Sequence, residues 1–225
     1  MSKFEKKLLE SADTIYLPNR YQEPFIEALG NITNIKIPDL KDRKLSVKSN
    51  GQTFRWVRGR DVPQIVASVQ AAQPDKRIVG LSGSEWCDEY MLGQLTGKVA
   101  TNRMIEYYNI PFAKPMGRVA IIAPQSVDVG QMRDKIRAGQ DPVPVITVYP
   151  NLATKSLKEG LFSLSITTTP EFTLSGGVES LADDLGMLAL DLVCTGATVI
   201  QNNFTILAEL QEVYPAIVTA RGYDA

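Results

Sequence analysis

Leu188-Ala189-Leu190-Asp191-Leu192-Val193-Cys194-Thr195-Gly196-Ala197-Thr198 is an apolar run broken only by Asp191, and it leads straight into a Thr-Gly-x-Thr loop. A buried strand that carries one carboxylate and ends in small residues predicts an α/β protein, since such proteins place ligands beyond the carboxyl ends of their strands. With a helix starting near Thr198, the first backbone N–H groups lack intrahelical partners and the dipole favours an anion. Gly196 then lets the backbone approach a phosphate, and the hydroxyls of Thr195 and Thr198 complete the cradle. Asp191 lies upstream, where it can accept hydrogen bonds from a sugar or stabilise positive charge at its reacting carbon. The same spacing also suits an ordinary strand-to-helix turn with a threonine cap, so this stretch alone leaves both readings open.

Working outward, strand and helix patterns alternate. Gly177 to Leu185 has helical spacing, Leu161 to Thr168 alternates as a strand, and Leu152 to Gly160 reads as a helix closed by its glycine. Val145 to Tyr149 and Arg118 to Ala123 are apolar strands flanking a linker at 136–144. Ile78 to Leu81 is a strand that opens into the turn Ser82-Gly83-Ser84-Glu85 ahead of a helix over Trp86 to Leu92. Pro63 suits the first turn of a helix whose stripe is Val62, Ile65, Val66 and Val69 and which ends before Pro74. Lys44 to Val57 forms a hairpin about Ser49-Asn50-Gly51. Thr14 to Pro18 is a strand, Glu23 to Leu29 a helix stopped by Gly30, Met1 to Asp13 an amphipathic helix, and Ile217 to Ala220 a last strand. The alternation predicts α/β architecture with mostly parallel sheets.

Composition narrows the chemistry. A chain of 225 residues, 44% hydrophobic and 22% charged, can bury one large domain or two small lobes. The formal net charge of −1, with no block of like charge, argues against a nucleic-acid partner. No stretch of 18 or more apolar residues suggests a membrane span, and Lys3, Glu5, Lys6, Lys7 and Glu10 are unlike the core of a signal peptide. The two distant cysteines, Cys87 and Cys194, read as reduced thiols, so the expected location is cytoplasmic. Histidine is absent, which excludes histidine triads, histidine bases and the commonest zinc sites.

Several further segments occur in a telling order: Leu17-Pro18-Asn19-Arg20, Arg58-Gly59-Arg60-Asp61-Val62-Pro63, Gly80-Leu81-Ser82-Gly83-Ser84-Glu85, Tyr149-Pro150-Asn151-Leu152 and Gly177-Val178-Glu179. With Asp191 to Asn202 as the strongest block, the chain from about Ile15 to Ala220 resembles the catalytic subunits of ATP phosphoribosyltransferase. The resemblance implies two α/β lobes around a cleft, of the type II periplasmic-binding-protein-like kind, with lobe I at 1–117 plus 205–225 and lobe II at 118–204. It also implies transfer of phosphoribosyl from 5-phosphoribosyl pyrophosphate to N1 of ATP, with release of pyrophosphate and a need for Mg²⁺, as the first step of histidine biosynthesis.

Carried over by resemblance, Glu179, Asp191, Thr195, Gly196, Ala197 and Thr198 hold the phosphoribosyl group. Leu17, Arg20, Arg58, Asp61, Gly83 and Glu85 line the nucleotide side, and Arg20, Arg58 and Asp191 act in catalysis. Two polyphosphates call for cations, and guanidinium binds phosphate oxygens in bidentate fashion. Read alone, Arg58 and Asp61 also fit a solvated loop and helix cap, and Glu85 and Glu89 fit exposed helix residues. The short form of the family is implied, a homo-oligomer working with a regulatory subunit that resembles a histidyl-tRNA synthetase.

Departures from the family pattern keep other functions in play. Leu17-Pro18-Asn19-Arg20 lacks the family's glycine, Glu85 replaces an aspartate, Glu179 to Thr195 is one residue shorter, and Met187 stands where the family has a second aspartate. A thioether accepts hydrogen bonds only weakly. The alternatives are a phosphoribosyltransferase with another acceptor, a two-lobed binding protein, or a silent subunit that regulates an active relative.

Overall fold

The protein is described from a computed structural model, which covers residues 3–20, 22–38, 46–97, 104–110, 113–131, 134, 145–159 and 177–222. It forms two compact units, Met1–Met116 together with Val213–Ala225, and Gly117–Glu212. The first contains α1 (Lys3–Glu10), β1 (Thr14–Pro18), α2 (Gln22–Gly30), β2 (Ser46–Ser49), β3 (Gln52–Val57), a 3₁₀ turn (Gly59–Asp61), α3 (Val62–Ala72), β4 (Ile78–Gly83), α4 (Ser84–Leu95), β5 (Ile105–Asn109) and, from the other end of the chain, β10 (Pro215–Ala220). The second contains β6 (Gly117–Pro124), β7 (Val145–Thr147), α5 (Pro150–Glu159), α6 (Val178–Leu185), β8 (Leu188–Val193), α7 (Ala197–Gln201) and β9 (Phe204–Val213).

The first sheet runs β2-β3-β1-β4-β10-β5. Its central strands β4 and β10 are buried at every residue, as expected of strands covered on both faces. Alternate residues feed two cores. Ile15, Leu17, Val79, Leu81 and Ile217 pack with Leu8, Leu9, Phe25 and Leu29 from α1 and α2. Tyr16, Ile78, Ala216 and Val218 pack with Val62, Val66, Cys87 and Tyr90 from α3 and α4. The result is a helix–sheet–helix sandwich. The hairpin between β2 and β3 turns through Asn50 (φ 50°) and Gly51 (φ 80°), the two positive φ values that a tight antiparallel connection requires.

The second sheet runs β7-β8-β6-β9. Ala189 and Val193 on β8, with Ala120 and Ile122 on β6, face Val178 and Ala182 of α6 and Val199 of α7.

Several expectations change. The sheets are mixed: β1–β3, β1–β4 and β7–β8 are parallel, whereas β2–β3, β4–β10, β10–β5 and β6–β8 are antiparallel. The alternation of helix and strand concealed this, because β10, from late in the chain, enters antiparallel between β4 and β5, and β6 runs antiparallel to β8. The chain stays in the second sheet through β9 instead of returning to the first lobe at 205, since Phe204 and Ile206 pack on that unit's core. No turn separates β4 from α4, as the strand runs to Gly83 and the helix starts at Ser84. Strand β7 ends at Thr147 and helix α5 begins at Pro150. The linker at 136–144 and the strand at 161–168 lie outside the described residues.

Gly80 marks the closest approach of a helix to the first sheet. A Cβ there would collide with Val62 Cγ1 and sit 2.7 Å from Val66 Cγ2, both on α3. Gly80→Ala is therefore expected to destabilise the protein by about 1–3 kcal/mol through overpacking, read as a lower urea midpoint at unchanged slope.

Candidate active site

In the first unit the residues expected on the nucleotide side come together because three neighbouring parallel strands end on one side. Pro18 closes β1 opposite Val57 of β3, and Tyr16 lies opposite Gly80 of β4. The segments beyond these strands are tied to one another: Asn19 N–H donates to Val57 O at 2.8 Å, and Ser82 Oγ donates to Gly59 O at 3.0 Å. Arg20 and Arg58 are both exposed at this edge. Asp61 ends the 3₁₀ turn and pairs with Arg60, Nε to Oδ1 at 3.5 Å. Gly83 ends β4, and any side chain on it would overlap the Glu85 carboxylate, which folds back over it. Glu85 is only 2% exposed, so it is no exposed helix residue. Leu17 points the other way: its side chain, also 2% exposed, belongs to the core beneath this edge, which is where an apolar residue of a central strand must go. Any part Leu17 plays at this edge therefore falls to its backbone. Cys87 is buried below the same edge, and burial, reinforced by Glu85 and Asp88, pushes its thiol up, which keeps it protonated and inert.

In the second unit Asp191 sits on β8 between Ala189 and Val193, so alternation turns it toward the face that α6 and α7 cover. Its Oδ1 accepts the Leu192 N–H at 2.7 Å. Burial pushes the Asp191 carboxyl up to about 6; the Leu192 amide opposes this, and Glu179 in the first turn of α6 adds to the rise. A carboxylate in this setting gains from any cation or hydroxyl donor that arrives beside it.

Beyond β8 the chain turns at Gly196, whose φ of 73° lies in the left-handed region, and α7 begins at Ala197. No atom lies within 4 Å of where a Cβ at Gly196 would be, so its glycine serves the backbone and not a tight fit. Thr195 Oγ1 accepts the Ala197 N–H at 3.3 Å, and Thr195, Ala197 and Thr198 are exposed. Asp191, Glu179 and the 195–198 loop thus meet at one end of the second sheet. Met187 is half-buried against the α6 core, where a carboxylate would have been poorly hydrated.

One charged residue at this end escaped the sequence reading. Arg118, the second residue of β6, lies opposite Val193 in the antiparallel register and pairs with Glu209 of β9 at 3.0 Å. The signal available was a lone Gly-Arg before an apolar strand, which marks a strand start and nothing more. An ion pair this exposed, 43% and 49%, contributes at most about 1 kcal/mol.

The family sequence model of HisG, ATP phosphoribosyltransferase, matches residues 58–224, from Arg58 to beyond β10, and so includes the loop after β8. The chain belongs to the ATP phosphoribosyltransferase family. Among solved structures it is similar to the ATP phosphoribosyl transferase (HisG:HisZ) complex from Thermotoga maritima, with 19% identity, a TM-score of 0.58, and 92% of this chain and 86% of that chain covered. That is a likeness of fold. A TctC solute binding protein from Polaromonas is 12% identical, with 93% and 77% of the two chains covered and a TM-score of 0.49. The effector binding domain of QuiR in complex with shikimate is 8% identical, with 95% and 88% covered and a TM-score of 0.47. A search of curated proteins found no match. For this ATP phosphoribosyltransferase family member, no helix among the described residues is long and apolar enough to cross a membrane.

The Asp191 shift has a definite sign. Its folded value of about 6 exceeds the ordinary 3.8, so the native state holds this proton better than the unfolded chain does. This contribution to stability is therefore fully present below pH 4 and lost as pH rises through about 6, by roughly 3 kcal/mol at most. Without added metal or substrate, Asp191→Asn should gain stability over the parent across that window. Denaturant midpoints of both proteins from pH 4 to 7 check this, and a constant difference would contradict burial as the cause.

Proposed function

We propose that this chain transfers the phosphoribosyl group of 5-phosphoribosyl pyrophosphate to N1 of ATP and releases pyrophosphate, the first step of histidine biosynthesis. The observation that carries this reading is the family match over 58–224, which takes in both Arg58 and the loop after β8. N1 of ATP attacks C1 of the ribose, the C1–O bond to pyrophosphate breaks, and the leaving group departs with the bonding electrons. Positive charge develops at C1, and a carboxylate held in a partly desolvated place stabilises it more strongly than one in water. Asp191 has that role in the proposal, accepting hydrogen bonds from the ribose hydroxyls, with Glu179 as its neighbour.

The 195–198 loop holds a phosphate of the donor through Thr195, Thr198 and the backbone about Gly196 and Ala197. Arg20 and Arg58, exposed beyond the strands of the first unit, bind phosphate oxygens of ATP. Asp61 and the Gly83–Glu85 segment shape the same edge. Side chains at this edge need no histidine, and none is present in the chain.

Mg²⁺ fits the residues available. It takes oxygen ligands and is commonly held by one or two carboxylates together with substrate phosphates, not by an all-protein cage. Among the described residues no group of three or more His, Cys, Asp and Glu could hold a metal ion, whereas Glu179 is near enough to Asp191 to push its carboxyl up further, and the two carboxylates could share an ion with substrate phosphates. The ion, when bound, supplies charge neutralisation for the departing pyrophosphate. A homo-oligomer and a partner like the HisZ component named in the Thermotoga maritima complex belong to the same proposal, as does a cytoplasmic location.

A second reading has one observation in its favour. Met187 removes a carboxylate from the sugar side of the site, which suits another nucleophilic acceptor.

Incubation of the purified protein with 5-phosphoribosyl pyrophosphate and Mg²⁺, with and without ATP, tests both readings. ATP-dependent pyrophosphate release is the expected result. Asp191→Asn should lower kcat/KM by roughly 10²–10³-fold, and Thr195→Ala should raise KM for the donor by about tenfold. Donor binding without ATP-dependent turnover, persisting after a HisZ-type partner is added, would point to the other acceptor.

A further inference from the structure

Arg118 is a charged side chain placed against the root of the 195–198 loop and so far without a task. It lies directly opposite Val193, the last residue of β8, and two residues along that strand is Asp191. Directly opposed residues of an antiparallel pair project to the same face with Cβ atoms about 4.5–5.5 Å apart. Arg118, Val193 and Asp191 therefore share one face. Its neighbour Gly117 comes closer still: a Cβ there would lie 2.7 Å from the Val193 carbonyl oxygen and 2.9 Å from Cys194 Cα. The start of β6 is pressed against the point where the loop leaves its strand.

The loop itself is short of positive charge. Asp191 to Gln201 contains no Lys or Arg, and α7 has only five residues, too few to develop a full helix dipole. A ribose carrying phosphate at one end and pyrophosphate at the other needs more than two hydroxyls and a few amides to balance its charge.

We propose that Arg118 is a further binding residue for the phosphoribosyl donor, its guanidinium taking a phosphate of 5-phosphoribosyl pyrophosphate held at the 195–198 loop. This rests on the reading of that loop as the donor site. In the ligand-free protein Arg118 Nη1 lies 3.0 Å from Glu209 Oε1 and 3.1 Å from Oε2. Both side chains are half-exposed, so water screens the pair and leaves it weak. Phosphate carries more charge than carboxylate and matches the guanidinium fork, so it displaces Glu209. Glu209 thereby competes with the donor for Arg118 and keeps the cation parked beside the site.

The two partners should act with opposite signs, which a merely structural ion pair would not do. Calorimetric titration of 5-phosphoribosyl pyrophosphate with Mg²⁺ present is run on the parent protein and on Arg118→Gln, Arg118→Lys, Glu209→Gln and Asp191→Asn, with thermal unfolding of each as a folding control. Arg118→Gln is expected to weaken donor binding by roughly 10- to 100-fold. Arg118→Lys, lacking the fork, should fall between. Glu209→Gln should tighten binding by about two- to fivefold. In turnover, KM for the donor should rise in Arg118→Gln with KM for ATP unchanged. Parental affinity in a folded Arg118→Gln, or equal weakening in Arg118→Gln and Glu209→Gln, overturns this proposal. If donor binding nevertheless responds to Asp191→Asn, the donor site itself stands. Failure of the parent protein to bind the donor overturns both.

Discussion

Strand β8 is pinned from both sides, with Leu190 opposite Thr147 on parallel β7 and opposite Ile121 on antiparallel β6. Because strand side chains alternate with a period of two, a slip of one residue would exchange its two faces. Asp191 would then leave the neighbourhood of Glu179, and Ala189 and Val193 would leave the α6–α7 core. The apolar residues that fix the register are therefore also what aim the carboxylate. Packing in this unit and the electrostatics of its site are one constraint, expressed at alternate positions of a six-residue strand.

The first unit obeys a similar logic at larger scale. Its glycine-80 contact draws α3 close to the sheet, and the helix begins where the 3₁₀ turn at Gly59–Asp61 ends. The Ser82 hydroxyl holds that turn by its Gly59 carbonyl, so the position of Arg58 is set by β4 as well as by its own strand. Exposed guanidiniums on backbone fixed in this way keep side-chain freedom while their anchor points do not move.

Much of this was legible in the sequence because the signals were local. The Asn-Gly hairpin, Pro63 at a helix start, the all-apolar Ile78 to Leu81 strand and the Asp191 run each depend on residues close in the chain. What escaped reading depends on distant partners. Strand β9 reads as Phe204-Thr205-Ile206-Leu207-Ala208-Glu209-Leu210, a pattern equally suited to a helix, and only its place in the second sheet makes it extended. The antiparallel insertion of β10 beside β4 has no local signature either. At the site the same division holds. Gly196 and Thr195 announced a loop, whereas the burial of Leu17 and the place of Arg118 opposite Val193 became visible only with their cross-strand neighbours. Motif resemblance marks Leu17 as belonging to a segment, and burial decides that its side chain serves the core.

The position of β10 has a consequence for biosynthesis of the chain. This strand lies between β4 and β5, pairing with both, yet it is made after the whole of Gly117–Glu212. As the polypeptide leaves the ribosome, β1 to β5 emerge with a gap in the middle of their sheet, and the backbone N–H and C=O groups along the facing edges of β4 and β5 stay unpaired with β10 until about a hundred further residues have been translated. The second unit is contiguous and can close during that interval. Folding is therefore ordered by translation: the later-made unit completes first, and the earlier-made one waits for the final strand. Synthesis that stops short of Pro215 would leave a finished second unit attached to a first unit with an unsealed sheet, a form suited to capture by chaperones or to pairing with another chain.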